Sequence, residues 1–107
     1  MPIFDLSEQV AVITGGGSGI GQSIAEVFAQ QGAEVHILEI NEVSGQETQA
    51  KIRQAGGNAF VHACDIAQQS KVMDVAERIF QQSHAINIWV NNAGIAHIGN
   101  VETTTEE

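Results

Sequence analysis

The chain has 107 residues, enough for one small domain, and 43% of them are apolar, enough to build a core. Thirteen acidic residues against four basic ones give a formal net charge of −9, which argues against nucleic acid or an anionic membrane as a partner. No stretch approaches the apolar run that a membrane span requires, Met1-Pro2-Ile3 opens no basic or secretory segment, and the single cysteine, Cys64, cannot form an internal disulfide, so a cytoplasmic location is expected.

A first strand is predicted over 9–14, where Val10-Ala11-Val12-Ile13 is a continuous apolar run of the type buried on both faces in parallel sheets. The run Thr14-Gly15-Gly16-Gly17-Ser18-Gly19-Ile20-Gly21 follows it directly. Glycines at 15, 19 and 21 allow a tight turn, close approach of a pyrophosphate and close helix–strand packing, and Ser18 adds a hydroxyl donor. A helix is predicted over 19–31, with Ile20, Ile24, Val27 and Phe28 as its apolar stripe, so free N–H groups at its start would favour an anion. Two better-known glycine patterns do not fit. The strict Gly-x-Gly-x-x-Gly fingerprint fails because Ile20 and Gln22 stand where glycine is required, and a P-loop fails because Gln22 replaces its lysine.

The second strand, 34–39, carries Val35-His36-Ile37-Leu38 and ends on Glu39. Helix two, 43–55, has only Val43, Ala50, Ile52 and Ala55 as apolar positions. Strand three, 58–64, contains Ala59-Phe60-Val61-His62-Ala63 and leads into Asp65-Ile66; Asp65-x-x-Gln68 has the spacing of a capping box. Helix three, 68–82, presents Val72, Val75, Ala76, Ile79 and Phe80, and strand four, 86–91, contains Ile86-Asn87-Ile88-Trp89-Val90 before Asn91-Asn92-Ala93-Gly94. Gly32, Gly56 and Gly57 fall where helices should stop. His36, His62, His84 and His97 lack metal-ligand spacing, so no metal site is expected. Thr103-x-x-Glu106 and Thr104-x-x-Glu107 both announce a further helix.

Strands alternating with helices imply right-handed crossovers and a Rossmann-type, doubly wound parallel α/β sheet of order 3-2-1-4. Helices one and two are expected on one face and helix three on the other. Glu39, eighteen residues beyond Gly21, stands where a carboxylate can accept both hydroxyls of an adenosine ribose. The stretch from Ala33 to Ser44 and the glycine loop hold no Lys or Arg, so a 2′-phosphate would meet Glu39 without a neutralising partner; NAD is expected over NADP.

The pattern Thr-Gly-x-x-x-Gly-x-Gly from Thr14 to Gly21 resembles the cofactor loop of the short-chain dehydrogenases/reductases, and Asn91-Asn92-Ala93-Gly94 is similar to that family's Asn-Asn-Ala-Gly motif. The resemblance implies a cofactor-binding set of Gly15, Gly17, Ser18, Gly19, Ile20, Gly21, Glu39, Ile40, Asp65, Ile66, Asn91, Ala93 and Gly94. Within it Asp65 would take the adenine amino group and Ile66 cover the ring, a role compatible with Asp65 as a helix cap. Asn92 would tie the central strands together. The resemblance also implies a catalytic Ser, Asn and Tyr-x-x-x-Lys, but the chain has no tyrosine, Lys51 and Lys71 belong to helices two and three, and the catalytic positions would lie beyond residue 107.

Residues 1–107 are therefore expected to be the N-terminal, NAD-binding half of such an oxidoreductase, truncated after strand four and inactive alone. Its parent would act on a small-molecule carbonyl or secondary alcohol and form a homo-oligomer. The alternative is a stand-alone NAD-binding or sensing module, which should guard strand four with charges or proline; Ile86–Val90 has neither.

Overall fold

The computed structural model describes residues 5–15, 17 and 19–92. Four strands, β1 (Val10–Thr14), β2 (Glu34–Glu39), β3 (Asn58–Ala63) and β4 (Ile88–Asn91), alternate with three helices, α1 (Gly19–Gln30), α2 (Glu42–Gln54) and α3 (Gln69–Ser83). The sheet is parallel in the order β3-β2-β1-β4, the expected doubly wound arrangement. Its register aligns Thr14 with Leu38 and with Asn91, and Glu39 with Ala63, so all four strands end at one edge. That edge is where ligands settle in open α/β sheets.

Every residue of β1 is buried because the strand is covered on both faces. On one face Ile13, Val35, Ile37 and Ala59 pack with Ala25 and Ala29 of α1 and Ile52 of α2. On the other, Val10, Val12, Leu38 and Cys64 pack with Val75 and Ile79 of α3. The alternation of odd and even strand residues thus separates the two helical layers as the topology requires.

The apolar stripe of α1 is only partly the predicted one. Gly21, Ala25 and Ala29 are its buried residues, with Ile24 and Phe28 partly buried beside them, while Ile20 is 60% and Val27 51% exposed. Small side chains at intervals of four let the helix lie close to the sheet backbone, and this turns Ile20 and Val27 outward. In α3, Val75 and Ile79 are buried and Phe80 is 56% exposed, so its seam too is narrower than expected.

Other departures are short and have local causes. Helix α2 begins at Glu42 because Asn41 caps it, its side chain accepting the Ser44 N–H at 3.1 Å; Glu42 in the first turn and Lys51 and Arg53 in the last complement the helix dipole. Asp65 does not cap α3. Its Oδ1 accepts the Ala67 N–H at 3.0 Å in a tight turn, and the residue before the helix is Gln68, whose side chain makes no capping bond. Helix α3 ends on His84 in the left-handed region, φ 66°, with the His84 N–H donating to the Phe80 carbonyl at 2.7 Å. Strand β4 starts at Ile88, two residues later than predicted, because Asn87 engages β1 as a local clamp. Its N–H donates to the Val10 carbonyl at 2.8 Å and its Oδ1 accepts the Val10 N–H at 2.7 Å.

Candidate functional site

The glycine loop is anchored from three directions. The Gly15 N–H donates to the Leu38 carbonyl at 2.8 Å, the Asn92 Nδ2 donates to the Gly15 carbonyl at 3.0 Å, and the Gly17 N–H donates to Glu39 Oε1 at 3.0 Å. The turn therefore leans on β2 and on the end of β4 at once. Gly15 (φ 71°) and Gly19 (φ 58°) hold the left-handed conformations that the turn needs.

Two glycines are fixed by contact. A Cβ on Gly21 would lie 2.1 Å from the Gly15 carbonyl oxygen and 2.6 Å from Asn92 Nδ2, so helix α1 can start this close to the loop only without a side chain there. At Gly17 a Cβ would lie 2.8 Å from Glu39 Oε1 and 2.9 Å from Ser44 Cβ. By contrast, among the described residues nothing lies within 4 Å of a Cβ built on Gly19, at the first turn of α1. That turn carries no acidic side chain to compete with an anion for its N–H groups.

Glu39 is oriented by its neighbours. Its Oε1 accepts from Gly17 and its Oε2 from the Asn41 N–H at 3.1 Å, so the carboxylate is held against the glycine loop at the end of β2. Each carboxylate oxygen can accept more than one hydrogen bond, leaving capacity for hydroxyl donors. Ile20, at the start of α1, and Ile40, next to Glu39, are 60% and 67% exposed. Further along the edge, Ile40, Cys64, Asp65, Lys71, Asp74 and Arg78 line a cavity of about 660 Å³. Burial foremost, with the charge of Asp65, pushes the Cys64 thiol up, which suits packing rather than reactivity. Ile66 packs against the α3-side core.

Thus Gly15, Gly17, Gly19, Ile20, Gly21 and Glu39 gather around one loop, Ile40 and Asp65 share the neighbouring cavity, and Asn91 ends β4 on the same sheet edge with its Oδ1 taking the Trp89 indole N–H at 2.8 Å. Ser18, Ala93 and Gly94 lie outside the described residues. A second cavity, of about 430 Å³, opens at the opposite edge between α1 and α2, lined in part by Gly32, Lys51 and Gly57, and contains none of these residues.

The model of the short chain dehydrogenase family matches residues 9–107. The chain belongs to the short-chain dehydrogenase family. It is 40% identical over 99 residues to an uncharacterised oxidoreductase of Thermotoga maritima, covering 92% of this chain and 39% of that protein. It is 38% identical over 89 residues to the 7alpha-hydroxysteroid dehydrogenase of Escherichia coli, covering 83% of this chain and 35% of that enzyme. A 7alpha-hydroxysteroid dehydrogenase structure complexed with NADH and 7-oxo glycochenodeoxycholic acid superposes with a TM-score of 0.77 at 36% identity, over 81% of this chain and 34% of that one. The chain thus spans little more than a third of the length of these relatives.

Residue patterning did not single out two supports of this dehydrogenase loop. Thr48, fully buried in α2, donates to the Gly17 carbonyl at 3.3 Å, and its hydroxyl also lies 3.3 Å from the Ser44 carbonyl. Gly45 lets α2 approach β3 and Glu39, since a Cβ there would lie 2.8 Å from Val61 Cγ2 and 3.4 Å from Glu39 Cβ. A glycine inside a predicted helix is the available signal for such an approach.

Proposed function

We propose that this chain is the NAD-holding half of an oxidoreductase that moves hydride between NAD(H) and a small-molecule carbonyl or secondary alcohol. The observation that carries the reading is Glu39, held by the Gly17 and Asn41 N–H groups so that its carboxylate borders the glycine loop. In this reading Glu39 accepts the hydroxyls of the adenosine ribose, and the glycine loop with the N-terminus of α1 receives the pyrophosphate. Gly21 keeps the helix close to the loop. Ile40, Asp65 and Ile66 border the adenine, and Asn91, at the end of β4, borders the cofactor. When bound, the nicotinamide supplies or accepts the hydride. The chain's own residues bind and orient; with no tyrosine among its 107 residues, it lacks the proton-exchanging partner that the family resemblance implies, so the isolated chain catalyses no turnover.

Supporting NAD over NADP is the absence of Lys and Arg between Ala33 and Ser44. A 2′-phosphate would bring further negative charge beside Glu39. Calorimetric titration of the chain with NAD and with NADP tests both points. NAD is expected to bind more tightly, and Glu39→Ala to weaken NAD about tenfold or more through loss of charge-assisted hydrogen bonds. Tighter binding of NADP by the unmutated chain would overturn the assignment.

A further inference from the structure

On its α3 side the sheet carries a partly buried polar cluster that cofactor binding does not use. His36 of β2 is only 3% exposed; its Nδ1 lies 2.9 Å from Nε2 of His62 on β3, and its Nε2 lies 2.6 Å from Oε2 of Glu34. Ser83, the last residue of α3, donates to the same Glu34 oxygen. The His36 ring lies nearly parallel to those of Phe60 and His62, with centroids 5.1 and 5.2 Å away, and Arg53 of α2 lies over Phe60. Arg78 of α3 exerts its charge on His62 and also lines the cavity that contains Asp65.

The hydrogen bonds fix where protons can go. Burial alone would raise the Glu34 carboxyl, but hydrogen bonds from Ser83 and His36 and the charge of His36 outweigh it and hold the group below its ordinary value, so at neutral pH Glu34 only accepts. His36 must then donate through Nε2. With both rings neutral, His36 Nδ1 is bare and accepts from His62 Nε2–H. One added proton keeps this bond: either His62 gains it at Nδ1, or His36 gains it at Nδ1 while His62 moves its hydrogen to its own Nδ1. A second added proton leaves an N–H on both sides of the 2.9 Å contact, and the bond cannot survive.

We propose that the His36–His62 pair is a proton-operated latch between β2 and β3 on the α3 side of the sheet, which accommodates one added proton and opens on the second, loosening the wall of the cavity shared by Asp65 and Arg78. The groups facing the pair are Glu34 from β2, Ser83 and Arg78 from α3, and Arg53 of α2 across Phe60. Burial first, then the charges of His36 and Arg78, lower the His62 ring from 6.5 to about 4. The folded ring thus binds its proton less tightly than the unfolded one, and stability present at neutral pH is lost as pH falls from 6.5 towards about 4. None of this depends on the cofactor reading.

Histidine side-chain nitrogen shifts of the full chain, followed from about pH 8 to about pH 4, test the latch directly. His62 is expected to titrate near 4 in the unmutated chain and at a higher pH in His36→Val. Urea unfolding gives a second readout that needs only His62→Val: between about pH 7.5 and pH 5 the folding constant of the unmutated chain should fall roughly 10- to 30-fold more than that of the variant. The latch is overturned by a His62 titration near 6.5 in the unmutated chain, by equal midpoints with and without His36, or by parallel pH–stability curves for the unmutated chain and His62→Val.

Discussion

Gly21 and Glu39 determine what the loop can be. At Gly21 the nearest obstruction to a side chain is backbone, the Gly15 carbonyl oxygen at 2.1 Å, so relief requires the helix or the loop to move. Gly21→Ala is therefore expected to destabilise the fold by about 1–3 kcal/mol, the range for an inserted methyl that cannot be accommodated, with urea denaturation as the check. Gly19→Ala, whose Cβ meets nothing among the described residues but whose φ is 58°, should cost less, about 1 kcal/mol. Equal costs at the two positions would show that backbone conformation, not helix–loop contact, governs the loop. The spacing of Gly15, Gly19 and Gly21 made this turn legible in the sequence. The role of Asn92 as donor to the Gly15 carbonyl joins residues 77 apart in sequence, and spacing alone gives no sign of the bond.

The secondary structure elements were readable where one period dominated and obscure where a single side chain set the boundary. The apolar runs of β1 and β2 needed no tertiary knowledge, because strands covered on both faces are apolar throughout. Helix α1 was harder: a stripe chosen by size favours Ile20 and Val27, whereas the packing selects Gly21, Ala25 and Ala29 for closeness. Its length survived that misreading, since either stripe gives the same helical period. Helix α2, the least apolar of the three, relies on its cap and on the contacts of Gly45, Thr48 and Ile52. Asn41→Ala should accordingly cost about 1 kcal/mol, seen as a lower urea midpoint with fraying of Glu42–Gly45 in amide hydrogen exchange. An unchanged midpoint would mean that Glu42 and the burial of Thr48 suffice to hold the helix start.

At the scale of the whole molecule, parallel register is what converts scattered motifs into a site. Because Thr14, Leu38 and Asn91 are level across the sheet, the glycine loop, Glu39 and the end of β4 share one edge, and β1, flanked by β2 and β4, sits at the switch of chain direction where ligands enter such sheets. The topology and the place of the site follow from strand–helix alternation. The His36–His62 pair does not, since both residues look like ordinary strand positions until β2 and β3 are laid side by side with His62 next to Leu38 and His36 next to Phe60. The central proposal is that this edge holds NAD. Backbone amide spectra of the labelled chain, recorded during titration with NAD, test it most directly. The account predicts saturable shifts at Gly15, Gly17, Gly21, Glu39 and Asp65 that weaken in Glu39→Ala. Saturable shifts confined to Gly32, Lys51 and Gly57 at the opposite edge, or no shifts at millimolar NAD, would contradict it.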